Sequence, residues 1–214
     1  GFSYVGVSLD GLRDINDHFR GLDGAFDSAM EGIKNCLRAG VKVGLRFTIN
    51  RANYEQIPDI FDIMAETGIP RICFYHLVYS GRGNKIRDHA LTLAETRRVS
   101  SLIFNKTVES FKSGRRIEVL TVDNHCDGVY LYLRALKENP ERAAEIYTLL
   151  EYNGGNNSGI AISCVDQHGN VHPDQFWRHY SFGNVKKRPF SQIWPDVSDD
   201  LMAKLKDRKS HLKG

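Results

Sequence analysis

Apolar positions in the first eighty residues alternate between two periods. Residues 4–9 (YVGVSL) are β-branched and apolar and run into Asp10-Gly11, the pattern of a strand closed by a turn. From Phe26 the period lengthens. Phe26, Ala29, Met30, Ile33, Cys36 and Leu37 fall on one face of a helix that Gly40 stops. Residues 41–49 return to strand. A second helix opens at Asn53, with Ile57, Ile60, Phe61 and Met64 inward and Gly68 as its stop, and residues 72–79 form a third strand. Strand and helix joined by short connections predict βαβ units and a parallel sheet. Three strands exclude a closed eight-stranded barrel within this chain.

The rhythm changes after the loop Ser80-Gly81-Arg82-Gly83. Thr92 and Glu95 have capping-box spacing and open a long helix that runs to about Ser113. A strand is predicted over 117–122, followed by two helices. The second starts at Asn139-Pro140-Glu141, with proline at the first helical position. The run Asn153-Gly154-Gly155-Asn156-Asn157 reads as a flexible break and an internal boundary. Beyond it a hairpin pairs 160–165 with 170–173 across Gln167-His168-Gly169, and a basic amphipathic helix begins near Ser198. The divisions expected are 1–90, 91–155 and 156–214, with no internal repeat.

Composition narrows the class without naming it. The 214 residues, 41% hydrophobic and 26% charged, suit a globular domain with an extension. A net charge of +3 permits anionic small molecules and gives no argument for nucleic acid. No apolar run reaches membrane-spanning length and no signal peptide precedes the first strand. The chain opens on Gly1 almost inside a strand, so it reads as part of a longer protein. Cys36, Cys73, Cys126 and Cys164 are widely spaced, which favours a reducing cytoplasm. There is no C-x-x-C or C-x-x-x-C-x-x-C, hence no local iron–sulfur or zinc motif.

Parallel βα architectures bind ligands at the carboxyl ends of their strands. That places Ser8 and Asp10, then Arg46, Thr48 and Asn50, then Tyr75, His76, Leu77 and Tyr79 at the candidate site. Asp10 could accept from a ribose diol, and Arg46 could clamp a carboxylate with two prongs. Equally, Ser8 and Asp10 could cap a turn and Arg46 could sit in a structural ion pair. In the hairpin, Cys164 is either a ligand or a small buried residue, while Cys36 and Cys73 read as core. Around Phe176 and Trp177 stand His172, Arg178, His179 and Tyr180. A flat macrocycle with several carboxylates needs such aromatic faces and rim donors; an aromatic anchor packing the hairpin would use the same residues. Lys186-Lys187-Arg188 reads as a solvated turn.

These segments together resemble radical S-adenosylmethionine (SAM) enzymes with a SPASM-type extension. Ser8-Leu9-Asp10 is similar to the S-x-D that ends the fourth strand of their partial barrel. Cys164, Gly169 to Pro173, Gly183-Asn184-Val185 and Ile193-Trp194 are similar to the SPASM pattern, with Asp174 where a second cysteine is usual. His172-Pro173-Asp174 before an aromatic run resembles the branch that modifies sirohaem-derived tetrapyrroles in haem d1 or alternative haem biosynthesis. The resemblance implies an α/β fold, the C-terminal half of a partial (β/α)6 TIM-like barrel with a helical segment and a SPASM-like hairpin. It implies SAM contacts from Ser8, Asp10, Arg46, Asn50 and Leu77, and tetrapyrrole contacts from His172, Trp177, Arg178 and His179. It further implies a catalytic [4Fe–4S] cluster on cysteines preceding Gly1, an auxiliary [4Fe–4S] cluster with Cys164 as a metal ligand, and an electron donor such as flavodoxin or ferredoxin. On this reading the present chain alone is inactive. A peptide-modifying SPASM maturase and a non-catalytic tetrapyrrole- or haem-binding domain are the alternatives.

Overall fold

A computed structural model describes residues 1–211. β1 (Tyr4–Ser8), β2 (Lys42–Thr48), β3 (Arg71–Tyr75) and β4 (Glu118–Val122) form one parallel sheet in that order. The sheet thus has four strands where the alternating pattern promised three, because the isolated segment at 117–122 pairs with β3. Residue parity assigns each side chain to a face. Val43, Leu45 and Phe47 of β2 and Ile72 and Phe74 of β3 are buried in one core. They pack there with Ile33 of α2 (Ala25–Arg38), with Ile57, Ile60, Phe61 and Met64 of α3 (Ile57–Thr67), and with Val99 and Ile103 of α4 (Leu93–Lys112).

The opposite parity carries the chemistry. Ser8, Arg46, Cys73 and Leu120 lie in one register row, and Thr48, Tyr75 and Val122 in the next. Ser8 and Arg46 are exposed. An open sheet with helices against one face and polar side chains on the other is the geometry of part of a barrel, whose inner wall is the uncovered face.

Three local features differ from expectation. A helix, α1 (Arg13–Arg20), precedes α2; its only large apolar residues are Ile15 and Phe19, too few to print a helical stripe. The third strand ends at Tyr75 rather than Tyr79, since the His76 imidazole leaves the sheet for Asp127, Nε2 to Oδ2 2.7 Å. The loop expected at 80–83 is instead the start of 3-10 turns over residues 81–89, broken at Ile86 (φ −113°, ψ 25°). The capping box is present as expected: Glu95 N–H donates to Thr92 Oγ1 at 3.2 Å, and Glu95 Oε2 accepts from Thr92 N–H at 2.7 Å.

After β4 come α5 (Cys126–Glu138) and α6 (Pro140–Asn153). The chain divides into two compact units within the first turn of α6, the second beginning at Ala144, before the Gly/Asn-rich break. That second unit holds a three-stranded antiparallel sheet of β5 (Cys164–Val165), β6 (Asn170–His172) and β7 (Gly183–Asn184). Its core is Val171, Phe182, Ile193 and Met202, with Tyr180, Trp194, Leu201 and Leu205 packed around. Residues 160–162 do not extend β5, because their N–H groups donate to the Asn157 carbonyl. The tail forms α7 (Phe190–Ile193), α8 (Asp200–Lys206) and α9 (Arg208–His211). The basic helix expected from Ser198 is therefore divided at Asp207, and its last residues, 212–214, lie outside the described residues.

Phe74 is the natural probe of the first core. It is fully buried, edge-on to Phe47 at 5.6 Å and stacked near Phe61 at 5.9 Å between ring centroids. Phe74→Ala should lower unfolding free energy by about 3–5 kcal/mol, the usual loss for a buried phenylalanine. A urea titration showing less than 1 kcal/mol would mean that this core is not the one that holds the sheet together.

Candidate functional site

The carboxyl ends of β1 and β2 are tied by a buried polar knot. Asp10 directly follows the strand end and is wholly buried. Its Oδ1 accepts from Thr48 N–H at 2.6 Å, its Oδ2 pairs with Arg20, and its own N–H donates to Asn16 Oδ1 at 3.0 Å. Burial pushes the Asp10 carboxyl above the usual carboxylate value, while the Thr48 N–H and the Arg20 charge pull it back. Asn53 completes the knot: its amide donates to the Asp10 carbonyl at 2.9 Å and the Thr48 carbonyl at 2.8 Å, and its Oδ1 accepts from Asn50 N–H at 2.8 Å. The Asn50 side chain is taken up the same way, accepting from Ala52 N–H and donating to Thr48 O. Gln56 Oε1 accepts from Leu12 N–H at 2.8 Å.

Asp10 and Asn50 are therefore engaged by protein groups, and the expectation that Asp10 shares a pocket with Arg46 is not what the geometry shows. Arg46 leans away from the carboxyl end, with its guanidinium over Gly6; a Cβ there would fall 2.5 Å from Arg46 Nε. Glycine at position 6 is what admits that side chain. Arg46 forms no ion pair among the described residues and stands beside Ser8 in register. Ser8 and Arg46 are thus the exposed, available pair of the five residues expected to meet SAM. Leu77 is half-buried in the segment that leaves β3. Asn53, Asn16, Arg20 and Gln56 were missed as site residues. An Asn-x-x-Gln at a helix start, four residues past a strand, was the available signal for two of them.

Beyond β3 a second buried group gathers. His76 Nε2 lies 2.7 Å from Asp127 Oδ2, and Asp127 Oδ1 accepts from Ser100 Oγ and from Asn124 Nδ2, each at 3.0 Å. Burial opposes ionisation of Asp127, but these donors, His76 foremost, hold its carboxyl below the usual value. The group pins α4 and α5 to the end of the sheet.

In the hairpin, the expected substrate residues separate. His172 is buried, with Nδ1 2.6 Å from the Tyr180 carbonyl and Nε2 3.2 Å from Asp166 Oδ2. Both ring nitrogens are occupied, so His172 is a cross-brace of the hairpin and not a rim donor. Trp177 is half-buried with its ring 6.1 Å from that of His179, and Arg178 and His179 are exposed, Arg178 reaching Gln167 Oε1 at 3.1 Å. Asp174 accepts from Ser158 Oγ and from the Phe176 and Trp177 N–H groups, which makes it a turn cap. Cys164 pairs across the sheet with His172. No group of three or more His, Cys, Asp or Glu suited to a metal ion occurs among the described residues, so those residues do not by themselves make up an iron–sulfur site around Cys164. No helix among them is long and apolar enough to cross a membrane.

Two measurements bear on these networks. Asn53→Ala leaves the Asp10 carbonyl and the Asn50 N–H without their Asn53 partner and the Thr48 carbonyl with Asn50 alone, and should destabilise the fold by about 2–4 kcal/mol; a change within 0.5 kcal/mol would show the knot to be dispensable. Asp166 accepts from His168 N–H, Asn170 N–H and the Asn170 and His172 side chains. Burial raises its pKa, but these bonds outweigh it and hold the carboxyl well below 3.8. A depressed carboxyl contributes stability above its unfolded value and loses it as pH falls toward the folded one. Amide protection factors at Val171 should therefore decline below about pH 4, and Asp166→Asn should flatten that decline. Identical acid profiles would exclude Asp166 as the cause.

No family model matches the chain. Relatives do. Fe-coproporphyrin III synthase from Methanosarcina barkeri is 62% identical over 213 residues, 100% of the chain and 53% of that protein. Pre-heme d1 synthase from Dinoroseobacter shibae is 41% identical over 217 residues, again 100% of the chain and 53% of the protein. The chain spans about half the length of these curated relatives. Among solved structures, Streptococcus suis SuiB superposes with a TM-score of 0.68 bound to its precursor peptide SuiA (18% identity) and 0.67 bound to S-adenosylmethionine (17%). Each match covers 95% of the chain and 44% of SuiB, and shows the shared fold. Sequence likeness across the whole chain and an open parallel sheet of matching architecture agree: over the stretch it spans, the chain is similar to these haem-biosynthesis enzymes and shares the fold of SuiB.

Proposed function

We propose that the chain is part of a radical SAM enzyme that modifies a side chain of a sirohaem-derived, iron-containing tetrapyrrole in the cytoplasm. The observation that carries this reading is 62% identity, without a gap in coverage, to a synthase of Fe-coproporphyrin III. When bound, SAM and a reduced [4Fe–4S] cluster supply a hydrogen-abstracting 5′-deoxyadenosyl radical, with electrons from a flavodoxin- or ferredoxin-like donor.

The residues present support a division of labour. Ser8 and Arg46, adjacent on the uncovered face, would hold the amino-acid end of SAM, the guanidinium taking its carboxylate in a two-pronged contact. Leu77 would lie on the adenine side. Asp10, Asn50 and Asn53 act one step back: they fix the loops after β1 and β2, so that the Ser8–Arg46 pair is presented on a rigid wall. In the hairpin, Trp177, Arg178 and His179 supply an aromatic face and exposed donors for the macrocycle, while His172 and Asp166 hold the strands that carry them.

The test uses the full-length enzyme under anaerobic conditions. With SAM, a reductant and iron-containing sirohaem derivatives it should form 5′-deoxyadenosine and a tetrapyrrole of altered mass. Arg46→Ala should weaken SAM binding on the order of ten- to a hundred-fold, the loss expected for one charge-assisted contact, and Arg46→Lys should recover only part of it. Unchanged SAM affinity in Arg46→Ala would remove the residue from the cofactor site, and failure of the wild-type enzyme to alter any tetrapyrrole would remove the function.

A further inference from the structure

The 3-10 segment at 81–89 is the most strongly charged element at the carboxyl end of the sheet. It carries Arg82, Lys85 and Arg87 against a single carboxylate, Asp88, with His89 at its exit. Arg82, Lys85 and Arg87 are exposed, and none of the three forms an ion pair with a carboxylate among the described residues. Like charges this close repel one another, and a bound anion would relieve that repulsion.

The segment is also held in place. Side chains three apart eclipse on a 3-10 helix, so Arg82 and Lys85 stand on one side of the turn, roughly 6 Å apart along its axis. The turn is pressed against the strand exit: any Cβ at Gly83 would strike the Val78 carbonyl, and Gly83 N–H donates to Ser80 O at 3.1 Å. Past the kink at Ile86, the Arg87 guanidinium covers the half-exposed Tyr79 ring, 5.0 Å from its centroid. The far end is fastened to the loop after β2, where Arg51 N–H donates to the His89 carbonyl at 2.8 Å and Arg51 Nη2 meets Glu95 at 3.5 Å. Three cations without a carboxylate partner among the described residues, an aromatic ring covered by one of them, and a fastened backbone therefore occur together beside the strand ends.

We propose that Arg82, Lys85 and Arg87, with Tyr79, form the rim that recognises the carboxylates of the substrate, and so select a polyanionic macrocycle over a neutral one. This rests on the tetrapyrrole reading above. Tyr79 offers a flat face to the ring edge, and the three cations take side-chain carboxylates that project from it. Selection by charge at this rim is separate from the Ser8–Arg46 pair and acts on substrate rather than on SAM.

The test again uses the full-length enzyme, with iron coproporphyrin III as the anionic probe and its tetramethyl ester as the uncharged one. Binding is followed by the absorbance of the macrocycle, and SAM cleavage in the absence of tetrapyrrole serves as the internal control. The wild type should prefer the free acid, with an affinity that falls as salt rises. The triple variant R82A/K85A/R87A should lose on the order of ten-fold or more for the free acid, with the ester and SAM cleavage unchanged. R82K/R87K, which keeps the charge, should stay close to wild type and exclude misfolding as the cause. Equal free-acid affinity in the triple variant and the wild type overturns the rim, as does a wild type that binds acid and ester alike. A wild type that cleaves SAM yet binds neither porphyrin overturns the tetrapyrrole reading and the rim with it.

Discussion

The Asn53 side chain is the interaction on which the sheet's working end depends. One amide spans two strand exits, donating to the carbonyls of Asp10 and Thr48 while accepting from Asn50. Parallel strands leave their last backbone groups unpaired where the chain turns away, and buried groups of that kind need partners. Here side chains provide them, and among the described residues no buried side-chain nitrogen or oxygen lacks a partner. Without Asn53 the loops after β1 and β2 would each have to find water, and the wall bearing Ser8 and Arg46 would lose its fixed edge. Asp10, which looks like a ligand group in the sequence, belongs to the same machinery.

The two compact units solve a similar problem with different means. In the first, helices bury one face of a parallel sheet and leave the other free for chemistry. In the second, the sheet is only two or three residues long in each strand, so backbone ladders contribute little. Its order comes instead from Asp166 and Asp174, each gathering several N–H and side-chain donors, and from the aromatic cluster of Tyr180, Phe182, Phe190 and Trp194 with Lys206 over the Trp194 ring at 4.3 Å.

What could be read in the sequence was what local periodicity encodes. The first three strands, the helices that bury Ile33 and Ile57, and the Thr92–Glu95 box all carry their signal within a few residues, and the structure contains each. The α1 helix carries no apolar stripe, because Asn16 and Arg20 face a polar knot rather than a core, and so it left no trace. The site was legible by position but not by role. Strand ends located Ser8, Asp10, Arg46 and Asn50, yet whether a carboxylate faces solvent or Thr48 N–H depends on loops thirty-eight residues apart in sequence. His172 misled for the same reason: its partners, Asp166 and the Tyr180 carbonyl, are assembled by the hairpin turn and not by neighbouring residues.

The strict alternation of faces in β2 has a consequence for how this chain can vary over generations. Leu45 and Phe47 point to the core and Arg46 to the open wall, solely because they differ in parity. Deleting or adding a single residue inside the strand would exchange those environments, burying a guanidinium and exposing two large apolar groups at once. The turn at 21–24 faces no such rule, since chain length there changes loop closure only slowly. Drift in length is therefore confined to the connections, while within strands substitution is the only tolerated change. Two related chains can differ by many residues between Ser8 and Arg46 and still place them side by side.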